Sequence, residues 1–408
     1  MTTLSRDSVE WSVDHLARHL DTDIFPKAFE FQAMSHSKQE VVDCLGKKDI
    51  CQWTTRPLRK CLTPKHRYGF RVATQLDPLD MVFYTALIFE IGEELERSRI
   101  PAGDRISFSS RFKVEADFHL FDKTVGYPEF QAHSRELAGR YPYIVLTDIA
   151  DFYPRLYLHR LENALDAKLP AHATHAKATA RLLKSWNQHV SYGIPVGNNP
   201  SRLLAELAID DVDRALLSEG IVFARYRIFC RSTQEAYQGL ARLANLLYEM
   251  HGLTLQAEKT QIMLTERFLK EILESERRKE LKALAESFRA ILEGLGIDDP
   301  YQIVEYAELP PEVKKTVDAM NLCGLLTEEI KQEEPDLALV KMLTNRIGWL
   351  KVADPVWEVL HNLDKLHPAI AEIVRCLARL KGGIPKDERA KIGAFLLEKL
   401  EGSVISPT

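Results

Sequence analysis

No apolar run in this chain of 408 residues approaches the roughly 18 residues that a membrane span needs. The N-terminus, MTTLSRDSVEW, has no basic stretch leading into an apolar one, so no secretory signal is expected. The six cysteines (Cys44, Cys51, Cys61, Cys230, Cys323, Cys376) form no Cys-x-x-Cys pair and no metal-ligand spacing. They read as the reduced thiols of a cytoplasmic protein, without a disulfide framework. A surplus of positive charge is missing too. The formal net charge is −5, which argues against a general nucleic-acid coat protein. What remains is a folded protein's composition, 45% hydrophobic and 28% charged. The length allows one large core or two to three domains.

Charge distribution says more than the sum. From Lys47 to Arg71 the chain carries eight basic residues (Lys47, Lys48, Arg56, Arg59, Lys60, Lys65, Arg67, Arg71) against the single acid Asp49, a local +7. Such a block either contacts phosphates or forms a solvated loop. The aromatic and glycine interleaving of PKHRYGFR favours binding. A second basic run, RISFSSRFK at 105–113, brings Arg105, Arg111 and Lys113 together with Phe108 and Phe112. It suits template-backbone contact and stacking, or equally an amphipathic edge strand.

Three regions are expected: an N-terminal segment 1–45, an α/β body 46–265 and an α-helical region 266–408. Strands are expected at Gly69–Ala73, Ile144–Asp148, Ile221–Cys230 and Gln261–Thr265. Helices are expected around Trp11–His19 and at Pro78–Arg97, His159–Leu165, Ala178–Val190, Ser201–Leu217 and Thr233–His251. After Thr265 no strand signal remains, and apolar residues recur at helical spacing. Phe268 to Leu295 forms one such stretch. Further short amphipathic helices are expected at Leu337–Leu350, Pro355–Leu363, Pro368–Leu380 and Asp387–Leu400. A helical bundle and an α-solenoid both suit this pattern.

Four segments carry candidate chemistry. YIVLTDIADFYP (143–154) is a β-branched apolar strand running into Asp148, with Asp151 three residues on and Tyr153 five. A carboxylate at the end of a buried strand can face a cleft, though both acids could simply cap the turn. SYGIPVGNNPSRLLAEL (191–207) is a glycine-rich loop that opens a helix, constrained by Gly193, Pro195 and Gly197. Asn198 or Asn199 can cap the helix that follows, with Pro200 in its first turn. FARYRIF (223–229) holds two apolar flanks around Arg225, Tyr226 and Arg227. GLTLQAEKT (252–260) ends in Lys259 and Thr260, and His251 before it reads as a helix-end residue.

In this order the first, second and fourth segments resemble motifs A, B and D of reverse transcriptases. The string GIPxGxxxSRLLAE, with DTDIFPKAFEF at 21–31, is similar to the bacterial abortive-infection and other defence-associated branch. The resemblance covers about residues 20–265. It implies a right-hand polymerase fingers-and-palm fold followed by the helical region, and RNA-directed DNA synthesis (or template-independent synthesis) with Mg²⁺. It also implies RNA or DNA and dNTPs as partners, with a non-coding RNA and a homo-oligomer as further candidates and no membrane. By that resemblance Asp148 is the metal ligand and Lys259 the acid that protonates pyrophosphate. Lys65, Arg71, Asp151, Tyr153 and Gly197 would grip the nucleotide. Arg67, Arg105, Arg111 and Lys113 would contact nucleic acid. One departure is Val196, where many relatives have Gln.

Motif C departs further. The family pattern is RY-x-D-D-F-R-I-F, and this chain reads RYRIF, as if x-D-D-F were removed. Two consequences are expected. Arg225, Tyr226, Arg227 and Ile228 include no Gly, Asn or Asp for a tight turn, so the strands must shorten, rearrange or run together. Arginine cannot hold Mg²⁺ beside Asp148, so polymerase activity should be minimal. A non-catalytic RNA-binding and oligomerising module is the alternative. A single sequence leaves open whether the loss is natural or a deletion in this chain.

Overall fold

The computed structural model describes residues 1–19, 24–25, 27–66, 69–187, 190–273, 309–380 and 382–402, with isolated positions at 283, 286–288, 290–291, 294 and 306. For 64–66, 319, 349 and 400–402 the backbone alone is described. The protein is mixed α/β, mostly helical, with two small sheets. It divides into two compact units, Met1–Lys60 with Ala73–Ser275, and Cys61–Val72 with Glu276–Thr408.

The first unit opens with helices α1 (Arg6–Arg18), α2 (Glu30–His36) and α3 (Lys38–Leu45). The long helix α4 (Pro78–Ser98) follows a two-stranded sheet, β1 (Arg59–His66) and β2 (Gly69–Gln75), of which residues 61–72 group with the second unit. Asp77 caps α4 by accepting from Leu79 N at 2.9 Å, and Pro78 occupies the first turn. Met81 to Ile88 is buried without interruption, so the first half of α4 is wrapped on all sides, whereas Glu93 and Arg97 of its second half are exposed. Val9, Val13 and Leu16 of α1 join the same core, which ties the N-terminal segment to the body.

The second sheet positions the candidate site. Its order is β4 (Phe223–Ala224), β5 (Arg227–Cys230), β3 (Tyr143–Leu146), β6 (Gln261–Leu264), antiparallel throughout. The run YIVL makes β3 a central strand because both faces are apolar. Ile144 packs with Phe229, Met263, Leu137 and Phe268, whereas Val145 belongs to the main core with Ile228. Register follows, with Val145 opposite Ile228 and Ile262, and Ile144 opposite Phe229 and Met263. Helix α5 (Tyr127–Ala138) contributes Leu137 to one face. The elements α6 (Phe152–Arg155), α7 (Leu158–Lys168), α8 (Ala173–Trp186), α9 (Asn199–Ala208), α10 (Asp210–Ser218) and α11 (Thr233–His251) complete the unit.

Several sequence expectations are refined. The helix expected over 201–217 is two helices that break at Ile209. There the buried Asp210 binds Lys168 at 2.8 Å and Arg214 at 2.7 Å. The strand expected over 221–230 is a hairpin, and α2, α3, α5 and β1 add elements the pattern did not signal. Much of the stretch from Phe268 to Leu295 lies outside the described residues.

In the second unit, helices span Pro311–Ala319, Leu322–Lys331, Leu337–Trp349, Val356–His361, Leu363–Leu366, Ile370–Leu380 and Lys386–Gly402. Leu326, Ile330, Val340, Leu343, Leu360 and Ile373 fill its core. Among the described residues no strand follows Leu264. Phe70 of the β1–β2 hairpin stacks on His367, with ring centroids 6.4 Å apart. No described helix is long and apolar enough to cross a membrane.

Candidate functional site

Asp148 leaves the end of β3 into a loop that the segment 254–260 holds from beside it. Gln256 N donates to Asp148 O at 2.8 Å and Ala150 N to Thr254 O at 2.8 Å, while the Thr147 and Thr260 hydroxyls meet at 2.8 Å. This pairing brings Lys259 Nζ to 2.6 Å from Asp148 Oδ2, with both side chains about half exposed. The two residues expected from distant stretches of sequence therefore form one ion pair.

On the other side, the glycine loop is stitched to the turn that carries Asp151 and Tyr153. Ile194 N donates to Tyr153 O at 3.0 Å, Gly193 N to Leu156 O at 2.8 Å, and Leu158 N to Ser191 O at 2.9 Å. Gly193 and Gly197 have φ of 101° and 107°, the left-handed side that favours glycine. At Gly193 a Cβ would also meet Pro154 O at 3.2 Å. Asn198, rather than Asn199, caps α9 by accepting from Ser201 N at 2.9 Å. Asp151 itself has φ 46°, is largely exposed, and faces Arg155 at 3.7 Å. Tyr153 packs on the main core beside Phe152, their ring centroids 5.7 Å apart.

The hairpin neighbouring Asp148's strand keeps its turn. Phe223 pairs with Ile228 and Ala224 with Arg227, which leaves Arg225 and Tyr226 as a two-residue loop. Both have positive φ, 45° and 63°, as a two-residue hairpin requires, although neither is Gly, Asn or Asp. The expected rearrangement is thus confined to shortening, and β4 is only two residues long. Strain at two such positions costs on the order of 1 kcal/mol or more each. Contacts at the tip offset it.

Those contacts form a buried charge network. Arg225 ion-pairs with Glu206 of α9, and Arg225 N donates to Ile106 O at 3.0 Å. Glu206 also accepts from Arg99 Nη2 at 3.1 Å and from Ser107 Oγ at 2.7 Å. Burial opposes ionisation of Glu206, yet the Arg225 and Arg99 guanidinium groups hold its carboxyl below the ordinary value. Burial likewise opposes charge on Arg225, and Glu206 outweighs it, so the guanidinium titrates above its usual range. Tyr226 is buried beside Asp213, whose carboxyl is pushed up to about 7 by burial first and by the charge of Glu206 second. Arg227 turns to α5, donating to Ser134 Oγ at 2.9 Å with its guanidinium 4.1 Å above the Phe130 ring.

The remaining candidates divide. Arg111 is almost fully buried, bound to Glu96 at 2.8 Å and to the carbonyls of Ser107 and Ile100, so it cannot serve as a template contact. Phe108 and Phe112 are buried as well and offer no stacking surface. This stretch braces the hairpin tip instead. Arg105 is held by Glu136 at 2.6 Å, and Lys113 by Glu115 at 3.1 Å and Asp122 at 3.6 Å. Arg71 is exposed on β2 and belongs to the second unit, whereas Asp148 belongs to the first. Lys65 lies in β1 with its backbone alone described, and Arg67 lies outside the described residues. His251 ends α11 and bonds Asp211 at 2.8 Å.

Sequence reasoning missed Arg99, Glu206 and Asp213. The available signal was an acid inside the apolar run LLAEL of α9, where burial demands a partner.

The resemblance implies Mg²⁺, and the donor set does not fit it. A two-ion centre needs carboxylates from adjoining strands around ions roughly 3.5–4 Å apart. Here one carboxylate, Asp148, already binds an ammonium group, and the next hairpin offers Arg225, Tyr226 and Arg227. Among the described residues no group of three or more His, Cys, Asp or Glu side chains could hold a metal ion. No known protein-family model matches the chain, and no curated protein matches it.

Proposed function

We propose that this chain is a reverse-transcriptase-type protein of the bacterial defence-associated branch, with its palm in the first unit. In this reading it binds nucleic acid without polymerising it. One observation supports the reading above the others. A central strand leads into Asp148, flanked by a two-stranded hairpin on one side and on the other by a strand that follows the turn carrying Lys259, with a glycine loop opening a helix alongside. That is the order in which a polymerase palm assembles motifs C, A and D around its nucleotide. The hairpin tip argues against synthesis, because a guanidinium locked to Glu206 stands where carboxylates would be needed. Lys259 neutralises Asp148 in the meantime, so the pair is stable without a bound cation.

The reading is tested by RNA binding. Wild type and Asp148→Ala should bind a structured RNA with equal affinity, and the affinity should fall steeply with salt. Absence of RNA and DNA binding at low ionic strength would overturn it.

A further inference from the structure

A cavity of about 360 Å³ lies between the segment leading into β1 and the C-terminal end of α8. Its polar lining comes from Arg56, Lys60, Ser185, Trp186 and Asn187, and no carboxylate lines it. Arg56 is partly compensated by Asp80 at 3.4 Å and Asp77 at 3.6 Å, but Lys60 has no acidic partner among the described residues. The Trp186 indole N–H is buried and has no hydrogen-bond acceptor there either, in a residue only 6% exposed. A cavity lined by two basic side chains and by no carboxylate is what an anionic ligand would fit.

A second feature adjoins it at Asn187 and Val190. Asn187 lines the cavity and donates from Nδ2 to Gly193 O at 2.8 Å, and Val190, also in the lining, is two residues from Tyr192. Tyr192 forms an isolated antiparallel bridge with Tyr157. The flanking bonds, Gly193 N to Leu156 O and Leu158 N to Ser191 O, make this a non-hydrogen-bonded pair. In such a pair the two side chains emerge close together on one face. Both tyrosines are exposed, Tyr157 at 41% and Tyr192 at 50%. His159 lies edge-on to Tyr157 with ring centroids 6.2 Å apart. Two aromatic residues with about half of their surface in solvent are thus paired beside a basic cavity.

The geometry points to a binding site for single-stranded nucleic acid, in which the Arg56–Lys60 cavity receives a backbone phosphate and the Tyr157–Tyr192 pair stacks bases. It rests on the nucleic-acid-binding reading above. Stacking needs an unpaired base with a free face, so a duplex of the same sequence should not use the tyrosines.

The test is fluorescence anisotropy with a labelled single-stranded RNA of about 12 nucleotides, within the usual site size, and the matching duplex. Tyr157→Ala and Tyr192→Ala should each weaken single-strand binding about 10-fold and leave duplex binding unchanged. Tyr157→Phe and Tyr192→Phe should bind as wild type, because the ring remains. Lys60→Gln should lower the slope of log affinity against log salt by about 0.7, the share of one phosphate contact on a single strand. Both tyrosine positions in these four variants are exposed, and unchanged melting temperatures would exclude misfolding. If the double variant Tyr157→Ala/Tyr192→Ala binds as tightly as wild type, this inference fails and the wider reading stands. Equal losses for Phe and Ala variants would overturn stacking in particular. A wild-type protein that binds no nucleic acid overturns both.

Discussion

Arg225 is the residue on which the account turns. It occupies a turn position that costs backbone strain, and its guanidinium is committed to Glu206. Removing one partner of a fully buried ion pair costs roughly 3–5 kcal/mol. Arg225 keeps about a third of its side chain in solvent, and Glu206 retains Arg99 and Ser107. Arg225→Ala should therefore lower unfolding free energy by about 2 kcal/mol, read by urea titration. A loss below about 0.5 kcal/mol would show that the pair does not hold the tip. His15 offers a pH test at the same scale. It is buried, Nδ1 donates to Phe118 O at 2.7 Å, and Nε2 lies 3.2 Å from Asn199 Nδ2, so the neutral ring is the form that fits. Burial, chiefly, lowers its pKa to about 4 from 6.5. The folded value lies below the unfolded one, so this contribution is fully present above pH 6.5 and is lost as pH falls toward 4. The loss amounts to about 3 kcal/mol. In His15→Gln the decline between pH 7 and pH 4 should be smaller by that amount.

At the scale of elements, local chemistry made much of the fold legible. Asp77-Pro78 announced the start of α4, Thr233–His251 matched α11 at both ends, and YIVL read as a central strand because both faces are apolar. The shortened hairpin was among the outcomes the sequence allowed, but its left-handed turn was not legible because residue preference does not see Glu206. A tertiary ion pair supports two left-handed residues that sequence alone disfavours. RISFSSRFK was misread for a related reason. Charge and aromaticity look the same in a sequence whether they face solvent or, like Arg111 and Phe112, a buried interior. The helix pairing of the second unit supplies a further test. Gly348 of Leu337–Trp349 lies so close to Ile370–Leu380 that an added Cβ would stand 2.9 Å from Cys376 Cα. Gly348→Ala must push the backbones apart, and the second unit should lose about 2 kcal/mol of stability. An unchanged thermal transition would contradict that packing.

At the scale of the molecule, the sequence suggested a boundary near 265, and the structure divides by contacts at Ser275–Glu276. The hairpin segment Cys61–Val72 groups with the helical unit, an arrangement no linear reading of composition can reveal. Candidate residues expected to act as one site are thereby distributed over both units, Arg71 in one and Asp148 with Lys259 in the other. In the proposed reading, the strand order, the glycine loop and the Asp148–Lys259 pair of the first unit are those of a nucleotide-handling palm, and its Arg225–Tyr226 tip supplies no ligand for the ions of transfer. The most direct measurement is dNTP incorporation on an annealed RNA template and DNA primer, with Mg²⁺ or Mn²⁺, by wild type beside Asp148→Ala. The account predicts that the two are indistinguishable. Incorporation by wild type clearly above the Asp148→Ala background would contradict it.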